Sequence, residues 1–83
     1  MLLIIDDDPA IRTSLSLLLK QAGYPTQAVA DPETALRVVG ESAPQLVLMD
    51  MNFSLDTSGQ DGLHLLAQVK QLAPQVPVVL ITG

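Results

Sequence analysis

Three aspartates, Asp6, Asp7 and Asp8, follow directly on the aliphatic run "LLII", and a fourth, Asp50, closes a second aliphatic run, "QLVLMD". Carboxylates held close together disfavour one another's ionisation unless a cation sits among them. An oxygen-only donor set, small in number and leaving room for water and a phosphate, suits Mg²⁺ better than a caged Ca²⁺. The plain alternative is helix capping, because an aspartate at a strand-to-helix junction accepts hydrogen bonds from exposed N–H groups and faces the positive helix end. For Asp8, followed by Pro9, capping is the preferred reading. For Asp6 and Asp7 the metal reading depends on whether Asp50 reaches them.

Whether it does is decided by the elements between. "LLII" reads as a strand buried on both faces, and Asp8-Pro9 opens a helix carrying Ile11, Leu15, Leu18, Leu19 and Ala22 up to Gly23. "TQAVA" (26–30) reads as a second strand, and Asp31-Pro32 opens a second helix with Ala35, Leu36 and Val39. "QLVLMD" is a third strand. After a long polar loop, Asp61 is the expected cap of a helix bearing Leu63, Leu66, Val69 and Leu72, and "VPVVLITG" supplies a fourth strand ending at Thr82. The order β-α-β-α-β-α-β predicts an α/β fold with a doubly wound parallel sheet. In such sheets the functional crevice lies beyond the carboxyl ends of the strands. With strand order 2-1-3-4, the first and third strands are neighbours, and Asp6, Asp7 and Asp50 converge.

Composition narrows the function classes. The chain has 83 residues, which bounds it to a single domain with a thin stability margin. Zero cysteines exclude a disulfide framework and thiolate metal sites and suit a reducing compartment. No apolar run approaches the ~20 residues of a membrane span, and no basic or cleavable leader precedes "MLLII", so a soluble cytoplasmic protein is expected. Nine acids stand against four bases, Arg12, Lys20, Arg37 and Lys70, for a net charge of −5. Setting aside Asp6, Asp7, Asp8 and Asp50, the other acids nearly balance the bases, so the acidity is local. Without a basic stripe, direct nucleic-acid binding is not expected.

The ordered set "IIDDDPAIR", "LLLKQAGYPTQAVADPETAL", "PQLVLMDM", "DGLHLL" and "VPVVLITG" resembles the receiver domain of two-component response regulators over essentially the whole chain. The resemblance implies a flavodoxin-like fold and a sensor histidine kinase as phosphoryl donor. Carried over by position, Asp50 is the phosphoacceptor and Asp7 a direct Mg²⁺ ligand. Asp6 acts on the metal largely through water, the backbone carbonyl of Asn52 completes the coordination, and Thr82 is the switch hydroxyl. Chemistry of this kind is self-phosphorylation and autodephosphorylation, and the readout is an output domain beyond Gly83, with transcription the expected target. The loop "NFSLDTSGQDG" is longer than the usual connection and resembles that of transcription activators carrying an ATPase module.

Departures from the family pattern bear on the same residues. Receivers carry a lysine at the end of a fifth strand, and the sequence to Gly83 corresponds to an incomplete receiver, about two thirds of one, lacking that strand and the helices beside it. Lys20 and Lys70 occupy helix positions unsuited to replace it. The fourth strand is then an edge, apolar on both faces, and offers a route to homo-oligomers. Two other classes stay open. Asp6-Asp7-Asp8 also resembles the Asp-x-Asp motif of haloacid-dehalogenase-like phosphatases, with Asp6 as nucleophile, and a receiver-like binding module need not transfer phosphate at all. His64, Arg12 and Arg37 read as solvated helix residues, and Tyr24 as a packing residue.

Overall fold

The computed structural model describes residues 1–50 and 60–81, the side chains of residues 60–63 excepted. Four strands, β1 (Leu2–Ile5), β2 (Thr26–Val29), β3 (Leu46–Asp50) and β4 (Val78–Ile81), alternate with three helices, α1 (Pro9–Gln21), α2 (Pro32–Ser42) and α3 (Gln60–Leu72). All neighbouring strands are parallel, in the order β2-β1-β3-β4, the doubly wound flavodoxin-like arrangement expected from the sequence.

Local chemistry accounts for most of the boundaries. Asp8 caps α1 by accepting from the Ala10 N–H at 2.9 Å, with Pro9 at the first helical position. Asp31 caps α2, taking the Thr34 N–H at 3.0 Å and the Thr34 hydroxyl at 2.8 Å. Beyond α1 the chain reverses through Gly23 at φ +93°, a conformation open to a residue without Cβ. The end of α2 makes the same left-handed turn with Ala43, at φ 44°. One boundary differs from expectation: α3 begins at Gln60, so Asp61 lies inside its first turn rather than capping it. The capping preference of Asp is a local signal, and helix starts shift by a residue or two with tertiary context.

Strand β1 is buried along its whole length, as befits the sheet's interior. In β3 burial alternates, with Val47 and Met49 fully buried and Leu46 and Leu48 only half-buried. The difference marks two unequal faces. Leu3, Ile5, Val29, Val47 and Met49 form the main core with Ala35, Val38 and Val39 of α2 and Leu65 and Val69 of α3. On the other face, α1 contributes no buried residue, and its Leu17 and Leu18 are 56% and 62% exposed. Tyr24, expected to pack, is 52% exposed on the turn after α1. Three hydrogen bonds extend the frame at the amino ends of the strands. Leu2 and Val47 donate to the Pro25 and Pro77 carbonyls, and the Lys70 ammonium donates to the Val76 carbonyl at 2.9 Å. Lys70 is therefore occupied at the end of the sheet opposite the aspartates.

Candidate functional site

Parallel pairing puts Ile5 opposite both Val29 and Met49, so the residues that follow leave the sheet at the same level. Those residues are Asp6 after β1 and Asp50 at the end of β3. Carboxylate oxygens of Asp6, Asp7 and Asp50 all lie within 4.8 Å of one another. The three convergent acids expected from strand order are brought together, and Asp8 stands apart as the cap of α1.

Each acid has a different environment. Asp6 is 4% exposed, Asp50 half-buried and Asp7 exposed. Asp6 is held at three points. Its N–H donates to the Val29 carbonyl at 3.1 Å, its carboxylate Oδ1 accepts from the Asp8 N–H at 2.9 Å, and its carbonyl accepts from Arg12 Nη1 at 2.9 Å. Burial pushes the Asp6 carboxyl above the usual carboxylate range; the Asp8 N–H opposes this, and the charges of Asp50, Asp7 and Asp8 push it further up. Such an acid is stabilised in its ionised form by a cation, and a donor set made only of oxygens selects a hard one. The residues present thus fit a divalent metal: a like-charged cluster with one buried, upward-shifted member beside a half-buried and an exposed one.

Arg12 is the residue that sequence reasoning missed. Read as a solvated helix charge, it is half-buried and bonded to main chain six residues away. A signal existed in its position. It lies in the opening turns of α1, where the helix dipole disfavours a cation and where no acidic residue of the first turn compensates. His64 is exposed on α3, as expected of a solvated residue. Asn52 and Thr82, the carbonyl ligand and switch hydroxyl implied by resemblance, lie outside the described residues, as does most of the long loop after β3. A groove of about 450 Å³ runs between α1 and β2, lined by Arg12, Thr13, Ser16, Lys20, Thr26 and Ala28. Of the residues around the acid cluster it shares only Arg12.

Comparison with known proteins agrees with this geometry. The family model for the response regulator receiver domain matches residues 2–83. The nitrogen assimilation regulatory protein NtrX of Azorhizobium caulinodans is 37% identical over 82 residues, covering 99% of this chain and 18% of its own length. The transcriptional regulatory protein AfsQ1 of Streptomyces coelicolor is 33% identical over 82 residues, 99% of this chain and 34% of its own. Among solved structures, the receiver domain of NtrX from Brucella abortus superposes with a TM-score of 0.86 at 32% identity, over 96% of this chain and 65% of that one. A response regulator protein from Burkholderia pseudomallei, solved with a phosphorylated aspartic acid, a calcium ion and citrate, gives 0.86 at 26% identity over 99% of this chain and 46% of that one. The chain therefore spans about a fifth to a third of the length of the two curated relatives.

Proposed function

This chain belongs to the response regulator receiver domain family, and on that premise we propose that Asp50 is its phosphoacceptor, taking a phosphoryl group from a sensor histidine kinase in the cytoplasm. The observation that carries the reading is the meeting of Asp6, Asp7 and Asp50, from two strand ends, within 4.8 Å. Asp6, Asp7 and Asp50, with the Asn52 carbonyl, would hold Mg²⁺, whose charge neutralises the oxygens of the transferring group. An Asp50 carboxylate oxygen attacks phosphorus in line as the N–P bond of the donor phosphohistidine breaks, and the product is an acyl phosphate. Thr82 then turns its hydroxyl toward the new acceptor oxygens, and the change is passed to an output domain that acts on transcription.

The environments of the acids support Asp50 over Asp6 as nucleophile. Asp6 is nearly sealed from solvent, whereas Asp50 is half-buried at the end of its strand. Asp8, the second acid of the Asp-x-Asp pattern, has an oxygen engaged by the Ala10 N–H, which weighs against the phosphatase reading. Incubation with acetyl phosphate and Mg²⁺, in a protein that also carries the remaining receiver elements, followed by reductive trapping and mass spectrometry, tests the proposal. Label on Asp50 is expected, label on Asp6 would transfer the assignment to phosphatase chemistry, and no label would favour a binding module.

A further inference from the structure

The Arg12 guanidinium spans from α1 to the main-chain carbonyl of Asp6, donating Nη1 at 2.9 Å. That carbonyl belongs to the peptide joining Asp6 to Asp7. The N–H on the other side of Asp6 is fixed to Val29, and its carboxylate to the Asp8 N–H. Peptide groups are planar, so fixing the carbonyl fixes the orientation of the whole Asp6–Asp7 link and, with it, the direction in which Asp7 leaves the backbone. Asp7 is exposed and, among the hydrogen bonds described, nothing is shown holding its side chain; its aim depends on that link. Arg12 meets the cluster through that peptide carbonyl, and a cation kept against the helix dipole at this point has its compensation there.

We propose that Arg12 is a positioning residue that clamps the Asp6–Asp7 peptide and so aims the Asp7 carboxylate into the cluster it forms with Asp6 and Asp50. The inference rests on the reading of that cluster as a metal site. Its physical content is a sign. By charge alone, deleting a cation near three carboxylates should tighten the binding of another cation. By the clamp, deletion should weaken it, because outer residues that orient ligands commonly control metal affinity by an order of magnitude or more.

The test uses Arg12→Met, which keeps most of the side chain's length and removes both the donor and the charge, and Arg12→Lys, which keeps the charge. Asp31→Ala is the control, since it loosens the cap of α2, where Asp31 is bonded to Thr34 and not to the Asp6–Asp7 link. Mg²⁺ affinity by calorimetry and amide hydrogen exchange in metal-free protein are both read well below the unfolding temperature. The expected result is Mg²⁺ binding roughly tenfold weaker in Arg12→Met, smaller loss in Arg12→Lys and none in Asp31→Ala, with faster exchange at the Asp7 and Asp8 amides but not within β1. Unchanged or tighter Mg²⁺ binding in Arg12→Met, or unchanged exchange at both amides, would overturn the clamp. Absence of Mg²⁺ binding in the parent protein would instead remove the metal reading, and the exchange data would still decide whether Arg12 orders the Asp6–Asp7 link.

Discussion

Ile5 stands opposite Met49 in the parallel ladder between β1 and β3, and this single register relationship places Asp6 beside Asp50. A slip of one residue would turn Met49 out of the core and carry Asp50 to the other face of the sheet. The buried aliphatic side chains therefore set the site: Met49 and Ile5 are both fully buried, and the acids follow wherever they are anchored.

Asp7 and Asp8 are neighbours with separable roles, and substitution should tell them apart. Asp7→Ala is expected to lose most of the Mg²⁺ affinity while leaving the unfolding free energy little changed, because Asp7 is exposed. Asp8→Ala removes the acceptor for the Ala10 N–H and should cost ~0.5–2 kcal/mol of stability with Mg²⁺ binding retained. Calorimetric titration beside chemical denaturation separates the two. Equal Mg²⁺ affinity in Asp7→Ala and the parent would refute the metal assignment.

Asp6 gives the metal-free protein a pH signature. Its carboxyl is pushed up in the folded state, chiefly by burial, from an unfolded value near the ordinary aspartate 3.8. Between that value and the raised one the folded state binds more protons than the unfolded, so this group's contribution to stability falls as pH rises through the window. At neutral pH the ionised carboxylate is a net burden that a metal would relieve. Asp6→Asn keeps an oxygen for the Asp8 N–H and should be more stable than the parent at pH 7 without metal, with the advantage shrinking as pH falls through the raised value and gone below the unfolded one. Asp31 contributes with the opposite sign. Its bonds to Thr34 hold its carboxyl below the usual range, so its stabilisation is present above the unfolded value and lost as pH falls through the lowered one. Denaturation curves from pH 3 to 7 for parent and Asp6→Asn decide the point, and a parent more stable than the variant at pH 7 without metal would contradict it.

Most of this arrangement was legible in the sequence because its signals are local. Asp8-Pro9 and Asp31-Pro32 announce two helix starts, Gly23 announces a stop, and three apolar runs with the short "TQAVA" announce four strands. Parallel order then follows from alternation, and the convergence of Asp6, Asp7 and Asp50 from the order. The roles of Arg12 and Tyr24 were not legible. Arg12 finds its partner on β1's exit through a contact across six residues, and the exposure of Tyr24 depends on how α1 lies on a thinly covered face of the sheet. The start of α3 ahead of Asp61 is likewise a matter of context rather than propensity.

Ala43 carries a backbone conformation that side chains resist. Its φ of 44° closes α2 in the left-handed region usually given to glycine, while its N–H donates to the Val39 carbonyl. Ala43→Gly is expected to stabilise the fold by ~0.5–1 kcal/mol, relief of the left-handed strain outweighing the extra freedom of glycine in the unfolded chain. The mirror substitution, Gly23→Ala, should destabilise, since nothing crowds a Cβ there and φ +93° alone opposes it. Thermal unfolding of both variants provides the check; a lower melting temperature for Ala43→Gly would show that the strain is not carried at this residue.

Self-association is the last expectation, and β4 is where it should begin. In the described sheet β4 pairs only with β3, leaving its other edge without a partner strand. The strand is "VVLI", uncharged and β-branched at three of four positions, with Val79 and Leu80 exposed to 46% and 39%. An edge of this kind offers backbone N–H and C=O groups to any similar strand, and Pro77 guards only its start. The thin cover on the α1 face adds a second apolar surface, Leu17 and Leu18, that a second copy could bury by exchange of elements. Sedimentation of the 83-residue chain at micromolar concentration should therefore show a concentration-dependent mass. Val79→Lys, which charges the exposed strand without touching the Leu3–Met49 core, should shift the distribution toward monomer, and a folded parent chain that stays monomeric at every concentration would show that this edge does not drive association.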